Sequence, residues 1–179
     1  GWSRDIVKKR QIEINRVADE TGFNSVTKLD FSTTKLDIYP MSDLVSDISK
    51  AIMAIKPNIV YVNNRSDIHT DHQIAFKAVI SCIKNFRYPF LSRLLMYETL
   101  SETEFAPSLI ENVFQPNVFV DITEFFEKKI SIMKVYNSEI MDPPYPRSLE
   151  TIEALAKYRG SRIGKRYAEA FMLIEEHLN

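Results

Sequence analysis

Asn58-Ile59-Val60-Tyr61-Val62 is a compact run of β-branched and aromatic residues, preceded by Pro57 and followed by the polar stretch Asn63 to Thr70. A run of this kind fills a buried parallel strand with both faces covered, and it predicts one here. The polar stretch then lies at the strand's carboxyl end. Upstream, Met41 to Ile55 repeats apolar residues at Leu44, Val45, Ile48, Ile52 and Ile55, the spacing of one helix face, with Ser42 as a candidate cap and Pro57 as the stop. Downstream, the pattern turns helical again from about Asp71 to Asn85, with Ile74, Ala78, Val79 and Ile83 on one side.

The same reading extends outward. Asp5 to Thr21 is a surface helix halted at Gly22, and Val26 to Phe31 is a short candidate strand. Leu94 to Glu98 and Asn117 to Asp121 are two more strands, and Ile122 to Ser138 and Leu149 to Arg159 two more helices. Asp142-Pro143-Pro144-Tyr145-Pro146 is a rigid connection between them. Strands alternating with helices of this length predict an α/β sandwich with a mainly parallel sheet, formed by residues 1–179 as a single domain. In such sheets ligands collect beyond the carboxyl ends of the strands, which is where the polar stretch after Val62 falls.

Composition narrows the function. A chain of 179 residues with 45% hydrophobic and 26% charged residues is long enough for a core of its own and has the make-up of a soluble globular protein. A net charge of -1 gives no general attraction to nucleic acid or to an anionic membrane. No stretch of apolar residues is long enough for a membrane span, and the first residues, from Gly1 and Trp2 to Ile6, lack a signal peptide's apolar run, so the cytoplasm is the expected location. The single cysteine, Cys82, sits in an apolar run and reads as a buried thiol. A homo-oligomer is left open.

Two of the three histidines, His69 and His72, stand three residues apart at the junction of loop and helix, with Asp71 between them. Side chains so spaced at a helix start can reach one point in space. Asp67 and Asp71 have an alternative use as helix caps, and a zinc site wants three protein ligands plus an open position. Arg65 in the same loop is a candidate for an anionic group on a substrate, and Tyr97, at the end of the next strand, for substrate contact. His177 has no metal-like spacing and reads as exposed.

The run Lys56 to Val62 followed by Ser66-Asp67-Ile68-His69-Thr70-Asp71-His72-Gln73 resembles the second signature of the PIG-L (LmbE-like) zinc-dependent N-deacetylases. Tyr97 to Ser101 with Thr103-Glu104, Pro116 to Ile122, Pro146 to Glu150, Arg159-Gly160-Ser161 and Tyr167 to Phe171 are similar to family segments in the same order, so the likeness spans nearly the whole chain. It implies a three-layer, Rossmann-like sandwich that hydrolyses an N-acetyl group from an amino sugar of the N-acetylglucosamine type or its conjugate. His72 would be a ligand of zinc or another divalent ion, which lowers the pKa of its bound water to about 7. His69 would stabilise the oxyanion, with Asp71 orienting and charging it, and Asp67 matches an acidic loop position suited to ordering the loop or touching substrate.

One departure is large. The family's Ala-His-Pro-Asp-Asp-Glu-like signature, which supplies the remaining zinc ligands and the general base, does not occur here. Gly1 matches a family glycine beyond the second strand, so the N-terminal strands and first helix, on the order of 40 residues, are expected to be missing from this sequence. The alternative expectation is a catalytically incomplete relative that serves as a sugar-binding or interaction module.

Overall fold

The computed structural model describes residues 4–178, so Gly1, Trp2 and the family glycine match at Gly1 lie outside the described residues. The chain divides into two compact units, Gly1–Lys28 with Val120–Glu169, and Leu29–Phe119 with Ala170–Asn179.

The second unit contains the strand that opened the sequence reading. Helix α2, Met41–Ile55, ends at Lys56 in the left-handed conformation, and strand β1, Ile59–Asn63, follows after Pro57. Helix α3 spans Thr70–Cys82 and strand β2 Arg93–Tyr97, parallel to β1 with Ile59 opposite Arg93 and Asn63 opposite Tyr97. The sheet order is β1-β2-β4-β3, where β3 is Val118–Asp121 and β4 is Ala168–Glu176. Val62, Leu94 and Met96 on one face pack against Phe76, Val79 and Ile80 of α3, and Ile52 of α2 meets Cys82, Tyr88 and Leu91 in an adjoining cluster. Cys82 is buried as expected, its thiol donating to the Val45 carbonyl at 3.4 Å.

The α/β class holds, but the parallel character is confined to β1 and β2. β4 runs antiparallel to β2. The bonds Asn117 N to Phe171 O and Ile122 N to Tyr167 O, one index rising as the other falls, make β3 antiparallel to β4 as well. Among the described residues β1 is an edge strand of the sheet, and Ile59 and Tyr61 on one of its faces are 40% and 51% exposed, so the expectation of two covered faces is corrected. Tyr61 leans on Phe171 of β4, ring centroids 5.1 Å apart.

In the first unit, helix α1 runs Arg4–Thr21, α4 Phe126–Val135 and α5 Leu149–Ser161. Ser148 caps α5, its hydroxyl accepting from Thr151 N at 3.1 Å. Phe126 and Tyr167 stack with centroids 3.8 Å apart beside Ile122 and Ala156, forming a small buried cluster in this unit. Arg10 joins Glu13 and Glu139, and Arg147 also pairs with Glu139.

Three local expectations fail for physical reasons. Residues 26 to 31 form no strand, because Val26 and Leu29 stay exposed and the segment pairs with none of the sheet's strands. Ser42 does not cap α2; Pro40 occupies the cap position with no side-chain bond, and Ser42 Oγ turns to Asp43. The helix expected from Ile122 begins only at Phe126, after a 3-10 turn at Thr123–Phe125, and stops at Val135. His177 is also half-buried instead of exposed, between Asn85 and the Glu175 carboxylate.

Candidate functional site

Everything in the candidate site lies in the second unit, at the carboxyl ends of β1 and β2. Asn63, the last residue of β1, donates from Nδ2 to the His72 carbonyl at 2.8 Å, tying the strand end to the first turn of α3. The intervening loop is fixed by Asp67 N to Asn64 O at 3.3 Å and Ile68 N to Glu102 O at 3.1 Å.

Asp67 is 0% exposed, which rules out the direct substrate contact considered for it. Its carboxylate instead serves the protein. Oδ2 accepts from His72 Nδ1 at 2.8 Å, and Oδ1 accepts from the Thr103 hydroxyl at 2.7 Å. Thr103 in turn accepts from Thr99 N at 2.8 Å, and Gln73 Nε2 donates to the Asp67 carbonyl at 2.8 Å. Because a carboxylate only accepts, the proton of His72 sits on Nδ1. In the neutral ring the Nε2 lone pair is then free to bind a metal, the arrangement in which a carboxylate holds a metal-ligating histidine.

The imidazole of His72 is held above its ordinary pKa of 6.5 chiefly by the hydrogen bond to Asp67; partial burial opposes this, and the charges of Asp67, Glu102 and Asp71 add to it. A histidine whose folded pKa is raised contributes stability that is complete below its unfolded value. That contribution is lost as pH rises through the folded value. Metal-free wild type is therefore expected to melt higher, relative to an Asp67→Asn variant, at about pH 5 than at about pH 9. Parallel profiles from differential scanning calorimetry across that range would count against the pair.

His69 takes the N-cap of α3. Its Nδ1 accepts from Asp71 N at 3.1 Å, so the ring's proton is on Nε2 and the imidazole is a neutral donor. The His69 and His72 rings stack with centroids 5.1 Å apart and planes at 27°. The carboxylate of Asp71 is not on His69. It accepts from Thr34 N at 2.6 Å and Leu36 N at 3.1 Å, in the segment leading into α2. The expected charging of His69 by the Asp71 side chain is thus replaced by a backbone contact.

The Arg65 guanidinium donates to the Glu111 carbonyl, a contact an anionic substrate would have to displace. Tyr97 stands at the end of β2, 37% exposed, its phenol pushed above the ordinary value by burial first and by the Asp67 charge second, so it can donate a hydrogen bond. Asn63, Gln73 and Thr103 have supporting roles that the sequence does not announce; a half-buried Thr reached across a loop leaves no spacing signal. His72 fits a metal as one ligand. Among the described residues, no three His, Cys, Asp or Glu side chains converge to hold an ion, so a complete ligand set is not assembled by them. No helix among the described residues is long and apolar enough to cross a membrane.

Comparison with known proteins agrees with this fold. The diacetylchitobiose deacetylase of Thermococcus kodakarensis is 23% identical over 173 residues, 95% of this chain, and the chain spans 64% of that relative's length. Among solved structures, the conserved protein TT1542 from Thermus thermophilus superposes with a TM-score of 0.75 at 20% identity, over 100% of this chain and 77% of that one. The N,N'-diacetylchitobiose deacetylase from Pyrococcus horikoshii, complexed with its inhibitor MPG, gives a TM-score of 0.71 at 21% identity, over 94% and 64% of the two chains. Residues 2–83, which carry α1, α2, β1 and α3 with the histidine at its N-cap and the one in its first turn, match the family described as PIG-L, GlcNAc-PI de-N-acetylase.

Proposed function

We propose that this chain supplies the histidine side of a divalent-metal N-deacetylase that removes the acetyl group from an N-acetylglucosamine-type sugar or its conjugate. The observation that carries the reading is the fully buried Asp67 carboxylate on His72 Nδ1. A protein has little reason to bury a carboxylate against one ring nitrogen of a half-exposed histidine unless the other nitrogen has work to do.

Zinc, when bound, would act as a Lewis acid and activate water. Its remaining ligands are not among the described residues, and the chain's own contribution can be stated without them. His72 is oriented by Asp67, and Thr103 holds the second carboxylate oxygen so that the ring cannot swing. His69 presents Nε2–H from the start of α3, where it can donate to the amide oxygen as that oxygen gains negative charge. Tyr97 and Arg65 are the substrate-side candidates, Tyr97 as a donor to a sugar hydroxyl and Arg65 toward an anionic aglycone.

The test is direct. Zinc-loaded protein is expected to hold about one ion per chain by elemental analysis, within the stoichiometry of a single site. It is also expected to release acetate from N,N'-diacetylchitobiose. A second reading, a sugar-binding module without turnover, is favoured by the incomplete ligand set among the described residues. Saturable sugar binding with no acetate release and no bound metal would establish it over the first.

A further inference from the structure

The net charge of -1 hides a local concentration of cations. Between Glu153 and Glu169 the sequence carries Lys157, Arg159, Arg162, Lys165 and Arg166 and no acidic residue. The first of these lie in the last turns of α5, where cations complement the partial negative charge of a helix carboxyl end. That role ends with the helix, and Lys165 and Arg166 lie beyond it. Lys157 reaches Glu153 at 2.9 Å and Lys165 reaches Asp121 at 3.2 Å, but Arg162 makes no ion pair among the described residues.

The turn after α5 is built to hold its shape. The Gly160 carbonyl accepts from Ile163 N at 3.0 Å and from Lys165 N at 2.9 Å, folding the chain back on the helix end. The approach requires glycine, because a Cβ at Gly160 would lie 2.5 Å from the Lys165 carbonyl oxygen. Gly164 then takes φ of 67°, the left-handed conformation that reverses the chain. Arg162, Ile163, Lys165 and Arg166 are all left exposed on this turn, with an aliphatic side chain among three cations. Tyr158 lies four residues before Arg162, on the same side of the helix, and is 69% exposed.

We propose that the turn from Arg162 to Arg166, together with Tyr158, docks on the surface of an anionic phospholipid bilayer. Clustered cations are drawn to the negative potential of such a surface. A tyrosine settles at the level of the headgroups, and an exposed isoleucine gains by leaving water for the acyl boundary. Nucleic acid is the competing polyanion. Its phosphodiester backbone would satisfy the arginines but offers the Ile163 side chain nothing apolar, so the mixed character of the turn favours lipid. The proposal goes beyond the deacetylase reading and uses none of its residues.

Sedimentation of the full chain with sucrose-loaded vesicles tests it. Wild type is expected to partition at least about tenfold more strongly onto phosphatidylcholine vesicles carrying about 30% phosphatidylserine than onto phosphatidylcholine alone, and to come off as salt screens the charges. Replacing both Arg162→Gln and Arg166→Gln is expected to weaken binding by about tenfold or more. Ile163→Asn leaves the charge unchanged and is expected to weaken it about threefold. Should the double variant fail to fold, Arg162→Gln alone, at an exposed position without an ion pair, carries the same test with a loss of about threefold. Lys50→Gln removes a cation exposed on α2 and is expected to bind as wild type does. Equal binding to both vesicle types, or a turn variant that binds as wild type does, overturns the proposal. So does wild type that binds a duplex DNA oligonucleotide, read by fluorescence anisotropy, more tightly than the charged vesicles and without dependence on Ile163; the partner would then be nucleic acid.

Discussion

Replacing His69 with alanine is expected to lower kcat for acetate release by about 10²–10³ while changing KM little, the loss seen when one donor to a developing oxyanion is removed. The reason lies in the tautomer. Because Nδ1 of His69 accepts the Asp71 N–H at 3.1 Å, the only proton the ring offers is on Nε2. A donor that bonds the oxyanion more strongly than the ground-state amide acts on kcat. The same substitution also removes the N-cap of α3, a loss of about 1 kcal/mol. His69→Asn separates the two effects. Asparagine is among the best N-caps, so stability in urea should return toward wild type, but its short side chain cannot reach where the imidazole reached, and the rate should stay low. A His69→Asn protein with wild-type kcat would show that His69 caps a helix and nothing more.

The legible parts of this molecule were those fixed by local pattern. The Ile59 to Val62 run, the α2 periodicity and the placement of His69 and His72 at a helix start all follow from spacing, and the structure has them as β1, α2 and the first turn of α3. Strand β4 gave no such warning. Ala168-Glu169-Ala170-Phe171-Met172-Leu173 is built from good helix formers, and what makes it a strand is pairing with β2, Met172 opposite Met96 and Leu173 opposite Leu95. Tertiary context overrides propensity there, and with it went the direction of the sheet.

The site shows the same division. Residue types and spacing singled out Asp67, His69, Asp71 and His72, but not which carboxylate serves which ring. Two aspartates flank His69 at i-2 and i+2; spacing alone does not choose between them, and the resemblance chose Asp71. Folding decides, by burying Asp67 against Thr103 and His72 and by turning Asp71 outward to the Thr34 and Leu36 amides. Thr103, 36 residues from Asp67, could not have been paired with it from the chain alone.

Asp67 is where structure and chemistry depend most on one side chain. Asp67→Ala is expected to weaken zinc binding by about 10–100-fold, the range for losing the partner that orients a ligating histidine. It should also destabilise the fold by roughly 2–4 kcal/mol, since it leaves the Thr103 hydroxyl without its acceptor and His72 Nδ1 without a partner, beside a cavity. Asp67→Asn divides these losses. An amide keeps the volume and can still bond Thr103, so most of the stability should survive. Its NH₂ turned toward His72, however, makes Nδ1 an acceptor and moves the ring proton to Nε2, blocking the nitrogen the metal needs. Turned the other way, it keeps the ring but gives up the negative charge that makes His72 a better ligand. Either orientation lowers metal affinity in a protein that still folds. Competition titration against a chromophoric chelator, run beside urea unfolding, would therefore rank stability as wild type, Asn, Ala, and place both variants well below wild type in zinc affinity. An Asn variant that keeps wild-type affinity would mean that the Asp67–His72 bond is there to close a loop, and that His72 is no ligand.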